Sequence, residues 1–306
     1  MNMLDKQKQI SKAFKGMHEA IFEKVKHFEE KSKIQDDVWQ KKELGYGNSI
    51  VIDDGNFFDK AGINFSSITG KSLPESSVGN KSKSMGLPFF ATGVSVVFHP
   101  KNPYIPTAHL NIRYFCTFKE DQIFEEWFGG GFDLTPYILD EEDCQKWHEG
   151  AKKACEVIDS NFYKMAKKNC DEYFYIPHRK EHRGIGGIFY EKRKFEQTDQ
   201  GLNFSQRVSE NFIKNYVEII NKHKTKKYTE VENKFQRFRR GRYVEFNLTY
   251  DRGTLFGLQS GGRIESILMS LPNKVEWHYK YDEKLTAQQQ KLYDVLKTPR
   301  NWIDEI

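Results

Sequence analysis

Between Ala91 and Tyr137 the chain reads ATGVSVVFHPKNPYIPTAHLNIRYF and then, after a short link, WFGGGFDLTPY. At the period of two that a strand imposes, His109, Asn111 and Arg113 share one face, and Leu110, Ile112 and Tyr114 take the other. Ser95 and His99 flank Val97 in the same way on the preceding segment. A solvated outer face would carry Lys or Glu; a row of His, Asn and Arg suits the lining of a polar cavity. The glycines Gly129, Gly130 and Gly131 permit backbone conformations closed to other residues and let a ligand approach the main chain. They fit neither GxGxxG nor a phosphate-binding loop, so nucleotide binding is poorly supported. The acid that follows them, Asp133, and the polar strand beside it favour a binding site over a plain tight turn.

Other stretches carry less. Tyr173 to Glu191 (YFYIPHRKEHRGIGGIFYE) interleaves aromatics with His178, Arg179, His182 and Arg183. Such interleaving can stack on nucleic acid; next to Gly184, Gly186 and Gly187 it fits guanidinium groups held over a close-packed turn. A lone histidine such as His148 is more often structural than a ligand. Cys116, Cys144, Cys155 and Cys170 show no cluster spacing, which leaves no basis for an iron–sulphur centre or zinc ribbon. They read as reduced thiols. The 306 residues carry a formal charge of +5, with Lys spread along the chain, which suits an anionic small molecule as well as nucleic acid. No apolar run is long enough to span a membrane. The N-terminal MNMLDKQKQISKAF lacks a signal peptide's apolar core, so a cytoplasmic protein is expected.

These residues must be positioned by a scaffold, and 24 Phe, 15 Tyr and 5 Trp supply a substantial core. Apolar residues from Leu4 to Phe28, at mostly three- and four-residue steps, predict an amphipathic helix over 5–31. Short strands are expected over 38–65, with turns at Gly45, Gly47, Asp54-Gly55 and Gly62. GKSLPESSVGNKSKSMG, from Gly70 to Gly86, reads as a surface loop or a lid. The acids Asp140 to Asp143 open a long helix whose stripe runs from Trp147 to Met165. Ser205 is expected to cap a helix to His223, and Thr229 with Glu232 a second helix ending near Arg240-Gly241. RYVEFNLTYD, 242–251, alternates Val244, Phe246 and Leu248 with Glu245, Asn247 and Thr249 and predicts a strand. VEWHYKY, 275–281, predicts another, and Thr286 caps a final helix carrying Leu292 and Leu296. The irregular order of strands and helices predicts an α+β class with an antiparallel sheet. Without repeats or a linker, 1–306 is expected to form a single domain.

The blocks HPKNPYIPTAHLNIRYF, WFGGGFDLTPY, DEYFYIPHRKEHRGIGGIFYE, RRGRYVEFNLTYDRGTLFGLQ and GGRIESILMSLP resemble the oxygen-dependent coproporphyrinogen III oxidases, in the family's order and from roughly Asp37 to Trp302. The resemblance implies a large antiparallel sheet covered by helices on both faces. It implies oxidative decarboxylation of two propionates of coproporphyrinogen III to vinyl groups, giving protoporphyrinogen IX for haem biosynthesis. Dioxygen is then the co-substrate and no organic cofactor is needed. Bidentate arginines suit the substrate's four carboxylates; Arg113, Arg183, Arg252 and Arg263 are the candidates. Arg237, Arg239, Arg240 and Arg242 read partly as solvated helix-end charges. Asp133 is the natural acceptor for the pyrrole N–H groups and base for one of them, with Asp251 a second candidate acid or a partner of Arg252. His109 matches the family's proposed proton donor. Ser95, Asn111, Ile112, Arg113 and the turn Gly261-Gly262-Arg263 match substrate-binding positions. His99, His109, His148 and His178 match histidines linked to a divalent metal in bacterial members, although they share no ligand spacing. The resemblance further implies a homodimer joined through about Tyr243 to His278. The competing readings are a tetrapyrrole carrier without turnover and an RNA-binding protein using Tyr173 to Arg183.

Overall fold

The protein is described here from a computed structural model, covering residues 3–42, 44–73, 83–120, 122–159, 161–259, 262–281 and 285–303. Seven strands form one antiparallel sheet: β1 (Ile34–Lys41), β2 (Gly45–Asp53), β3 (Phe58–Gly70), β4 (Phe89–Pro100), β5 (Thr107–Lys119), β6 (Gln122–Thr135) and β9 (Gly186–Arg193). Neighbours in that order are hydrogen-bonded, so the sheet is a meander to which β9 is added. The short strands β7 (Tyr175–Ile176) and β8 (Glu181–His182) form a separate ribbon. The eight α-helices among the described residues are α1 (Met3–Val25), α2 (Glu141–Cys155), α3 (Phe162–Tyr173), α4 (Thr198–His223), α5 (Glu230–Thr249), α6 (Arg252–Gln259), α7 (Ile264–Leu268) and α8 (Ala287–Lys297).

Alternation decides which helices cover which face. Val94, Val96 and Phe98 of β4, Leu110 and Ile112 of β5, and Phe132 and Leu134 of β6 are all buried on one face. Against it pack α1 and α4, the latter through Phe212 and Tyr216, whose rings stack on Phe98. The opposite face is partly covered by α5, α6, α7 and the segment after them. There Met269 lies on Gly62, Ser266 meets Ser49, and Tyr243 packs edge-on to His99. The α+β class, the antiparallel sheet and helices on both faces are as expected.

Several element boundaries differ from expectation. The stretch 242–251 is not a strand: α5 runs through it to Thr249. Its hydrophobic alternation misleads because the helix is buried nearly all round from Phe238 to Val244, and three of the buried residues are arginines. Arg239 and Arg242 bind Glu181, and Arg240 binds Asp59 at 2.8 Å. They are neutralised inside the protein and are not solvated helix ends. Residues 275–278 have no regular structure, so the second predicted strand is also absent. The helix expected over 140–168 is two helices, α2 and α3. The N-terminal helix ends at Val25, before two short 3-10 turns. Ser205 lies inside α4, donating to Gly201 O, and the helix starts at Thr198. Gly47 and Gly62 sit within strands; the Asp54-Gly55 hairpin is present, with Asp54 left-handed at φ 50°. The capping boxes at Thr229 and Thr286 are formed. Residues 74–82 of the expected loop or lid lie outside the described residues. All four cysteines are buried and free, and burial pushes the Cys116 and Cys155 thiols up to about 12.

Candidate active site

The face under α5 to α7 is built from three parallel cross-strand rows. The first runs Val51, Gly62, Val97, His109, Asp133, Gly187; the second Ser49, Asn64, Ser95, Asn111, Gly131, Phe189; the third Gly47, Ser66, Gly93, Arg113, Gly129. In the second and third rows nearly every position is therefore Ser, Asn or Gly, the exceptions being Phe189 and Arg113. The result is a polar strip with little side-chain bulk, on which Asn64, Ser66, Ser95, Asn111 and Arg113 are partly exposed. Ser49, Asn64, Ser66 and Gly93 were not singled out from the sequence. The period-two reading that found His109 and Asn111, extended to GYGNSIVID, AGINFSS and ATGVS, would have placed them on this face. Ile112 shares the backbone of the site, but its side chain is buried in the core on the other face. Only its main chain is left for the expected substrate contact.

The glycine run is a strand segment, not a turn. Gly130 and Gly131 lie at φ 152° and 150°, and a Cβ on Gly131 would stand 2.0 Å from Ile188 O. Glycine is needed there because the neighbouring strand's backbone occupies the side-chain position.

The run delivers Asp133 to a buried ion pair. Arg183 donates from Nη2 to Oδ1 and Oδ2 at 2.8 and 2.9 Å and from Nε to Oδ2 at 3.3 Å; its Nη1 donates to Asn247 Oδ1 at 2.6 Å. The guanidinium carbon lies 4.1 Å from the ring centre of Phe174 and 4.4 Å from that of Tyr243. Arg183 is 2% exposed and Asp133 1%. Arg183 is therefore not a free propionate partner, which corrects that expectation: it is Asp133's counter-ion. Burial opposes the charge on Asp133, but the Arg183 guanidinium and the His109 bond outweigh it and hold the carboxyl below its usual range.

His109 lies between this pair and the strip. Its Nδ1 is 2.8 Å from Asp133 Oδ1, and its side chain is 20% exposed. An ionised carboxylate only accepts, so Nδ1 carries the hydrogen and Nε2 is left to exchange a proton with a ligand. Asp133 does not itself reach the strip; His109 is the exposed end of the pair. Asp251 is the N-cap of α6. It accepts from Thr254 N at 2.7 Å, Thr254 Oγ1 at 2.8 Å and Tyr173 Oη at 2.8 Å. Burial opposes its charge, and the Thr254 and Tyr173 bonds hold its carboxyl below the usual range.

Cations stand at both ends of the strip. At the β5–β6–β9 end, Arg113 and Arg252 both reach Glu191, a residue the sequence reading passed over. At the other end Arg263 contacts Asp37 of β1 and donates to Ser266 Oγ at 3.3 Å. Three to four strand spacings separate the two ends, about 14–19 Å at ~4.8 Å each. Gly262 donates to Gly257 O, while Gly261 lies outside the described residues.

The four histidines matched to a metal do not form one donor set. His99 is fully buried, with Nδ1 on Thr107 Oγ1 and Nε2 on Ser270 O, both at 2.9 Å; burial keeps its pKa well below the usual value. His148 lies in the opposite layer, between Tyr163 Oη and Ile185 O, and burial pushes it down to about 3. His178 is held by Tyr250 and Glu245 at the surface. These residues do not fit a shared ion. The one group with ligand-like spacing among the described residues is Asp140, Asp143 and His223, where the Lys222 amine already binds both carboxylates.

The basic stretch around Arg183 is likewise committed: Arg179 pairs with Glu245 through two nitrogens and His182 binds Leu296 O. That leaves little of it for RNA. A model of the coproporphyrinogen III oxidase family matches residues 9–302. With arginines at both ends of a polar strip, fold and match agree: the chain belongs to the coproporphyrinogen III oxidase family and handles a tetrapyrrole of porphyrin biosynthesis.

Proposed function

We propose that the protein is the oxygen-dependent enzyme of this family, converting two propionates of coproporphyrinogen III to vinyl groups. The observation that carries the reading is His109, backed by the buried Asp133–Arg183 pair, on the β5 side of a polar strip with arginines at each end. Arg113, Arg252 and Arg263 bind propionates, and Ser95, Asn111 and Gly262 line the floor and end of the strip. For each propionate, the CH2CH2CO2⁻ group loses carbon dioxide and a hydride equivalent. Dioxygen accepts the hydride equivalent and one proton, leaving CH=CH2, carbon dioxide and hydrogen peroxide. His109 supplies or relays the proton from Nε2 while Asp133 stabilises the charged ring. The pyrrole deprotonation first ascribed to Asp133 passes to His109 in this reading, because His109 is more exposed than the Asp133 it is bonded to.

Dioxygen suffices as the electron acceptor, without an organic cofactor. We further expect a homodimer in the cytoplasm. Leu248, Leu258, Ile264 and Trp277 are exposed apolar residues within the Tyr243 to His278 region and support that association. No helix among the described residues is long and apolar enough to cross a membrane. Incubation of the purified protein with coproporphyrinogen III, following protoporphyrin fluorescence, tests the reading. Product is expected in air, and sustained turnover under strict anaerobiosis would overturn the oxygen-dependent chemistry. Sedimentation at micromolar concentration tests the dimer.

A further inference from the structure

The fold gives Arg113 and Arg252 an internal carboxylate. Gly129 lies directly across from Arg113 on β6, and a Cβ there would stand 3.3 Å from Arg113 Nε and 3.2 Å from the Trp127 ring. The missing side chain lets the guanidinium cross β6 toward β9. On β9 the register shifts at this level: Gly130 faces Tyr190 and Phe128 faces Arg193, so Glu191 and Lys192 together oppose Gly129. This is a β-bulge, and Lys192 takes a left-handed φ of 47° within it. Strained backbone of this kind persists where the surroundings fix it, and a bulge re-aims a side chain. Here Glu191 is placed between the two arginines. Arg113 Nη2 is 3.3 Å from Oε1 and Arg252 Nη2 is 3.0 Å from Oε2.

Each arginine contacts Glu191 through one nitrogen, so most of its donors remain for another acceptor. The three side chains are 36%, 34% and 60% exposed, for Arg113, Glu191 and Arg252 respectively. Water and an incoming anion therefore compete readily for these contacts. Two guanidinium groups and one carboxylate leave a net charge of +1 beside the strip.

We infer that Glu191 is an exchangeable stand-in for a substrate carboxylate. It keeps Arg113 and Arg252 aimed while the site is empty and gives way when a propionate binds. It also re-pairs the arginines once that carboxylate departs, which speeds release. This rests on the proposed tetrapyrrole site and makes Glu191 a positioning residue whose presence weakens affinity.

The test is calorimetric titration with coproporphyrin III, the stable oxidised tetracarboxylate, on the full chain. Glu191→Gln keeps the shape and removes the charge, and its Kd should fall about threefold to tenfold, as expected for two exposed ion pairs lost from the free protein. In an Arg113→Gln/Arg252→Gln background the same substitution should change nothing, a non-additivity that a general structural or charge effect would not produce. Unchanged or weaker binding by Glu191→Gln, beside normal wild-type binding, overturns this inference alone. A gain that persists without the arginines also overturns it. No binding by the wild type overturns the tetrapyrrole site and this inference together.

Discussion

Two carboxylate–arginine clusters sit on the same sheet face and differ chiefly in water access. Asp133 and Arg183 are almost fully enclosed, share three hydrogen bonds and are flanked by His109, Phe174 and Tyr243. Glu191, Arg113 and Arg252 are a third or more exposed and are held by single longer contacts. The chemistry of the groups is the same; burial sets their roles. An enclosed pair is fixed because breaking it leaves a charge without solvent, whereas an open pair trades partners at little cost. The protein thus uses one as a frame for His109 and the other as a grip for ligand.

The comparison breaks most visibly at the enclosed pair. Arg183→Met should cost about 3–5 kcal/mol in chemical denaturation, because Asp133 is left buried and unpaired. A loss below about 1 kcal/mol would mean that the pair is not the frame described. Asp133→Asn should destabilise for the mirror-image reason and also impair turnover, so kinetics of that variant need a parallel stability measurement. Next in size is His109→Gln, which keeps an amide near Asp133 but cannot carry a proton. Turnover should fall on the order of a hundredfold, about 2.7 kcal/mol in barrier, with the fold retained by circular dichroism. At the open cluster, Arg113→Gln should weaken tetrapyrrole binding by about 1.5–3 kcal/mol, with little change in thermal midpoint. The smallest effect is expected for the stability of Glu191→Gln, within about 1 kcal/mol of wild type. A larger loss would make the open cluster a frame as well and erase the distinction.

The sequence showed one side of this contrast better than the other. HLNIRYF and GGGFD alternate cleanly, so the antiparallel sheet, its polar face and the neighbourhood of His109 and Asp133 were legible. What period-two reading could not show is depth. Arg183 looked like a ligand-binding residue because its type alone does not reveal that an acid 50 residues earlier encloses it. Arg239, Arg240 and Arg242 hid the second half of α5 for the same reason, since a helix stripe made of neutralised arginines has no hydrophobic signature. Glu191 was missed because a bulge, not a motif, brings it to Arg113.

The buried arginines of α5 also bear on how the chain is made. Arg240 meets Asp59 across 181 residues, and Arg239 meets Glu181 across 58. Contacts so distant in sequence form late, because the intervening chain must first be ordered. As the chain emerges from a ribosome, β1 to β6 and β9 are complete before α5 exists, and Asp59 and Glu181 wait in water for their partners. The nascent sheet should therefore be open on its polar face until synthesis passes Thr249, and docking of α5 is the step that closes it. Stalled chains ending near residue 230 are expected to remain sensitive to protease within β3 and β7–β8, and chains extended past 249 and clear of the exit tunnel to be resistant.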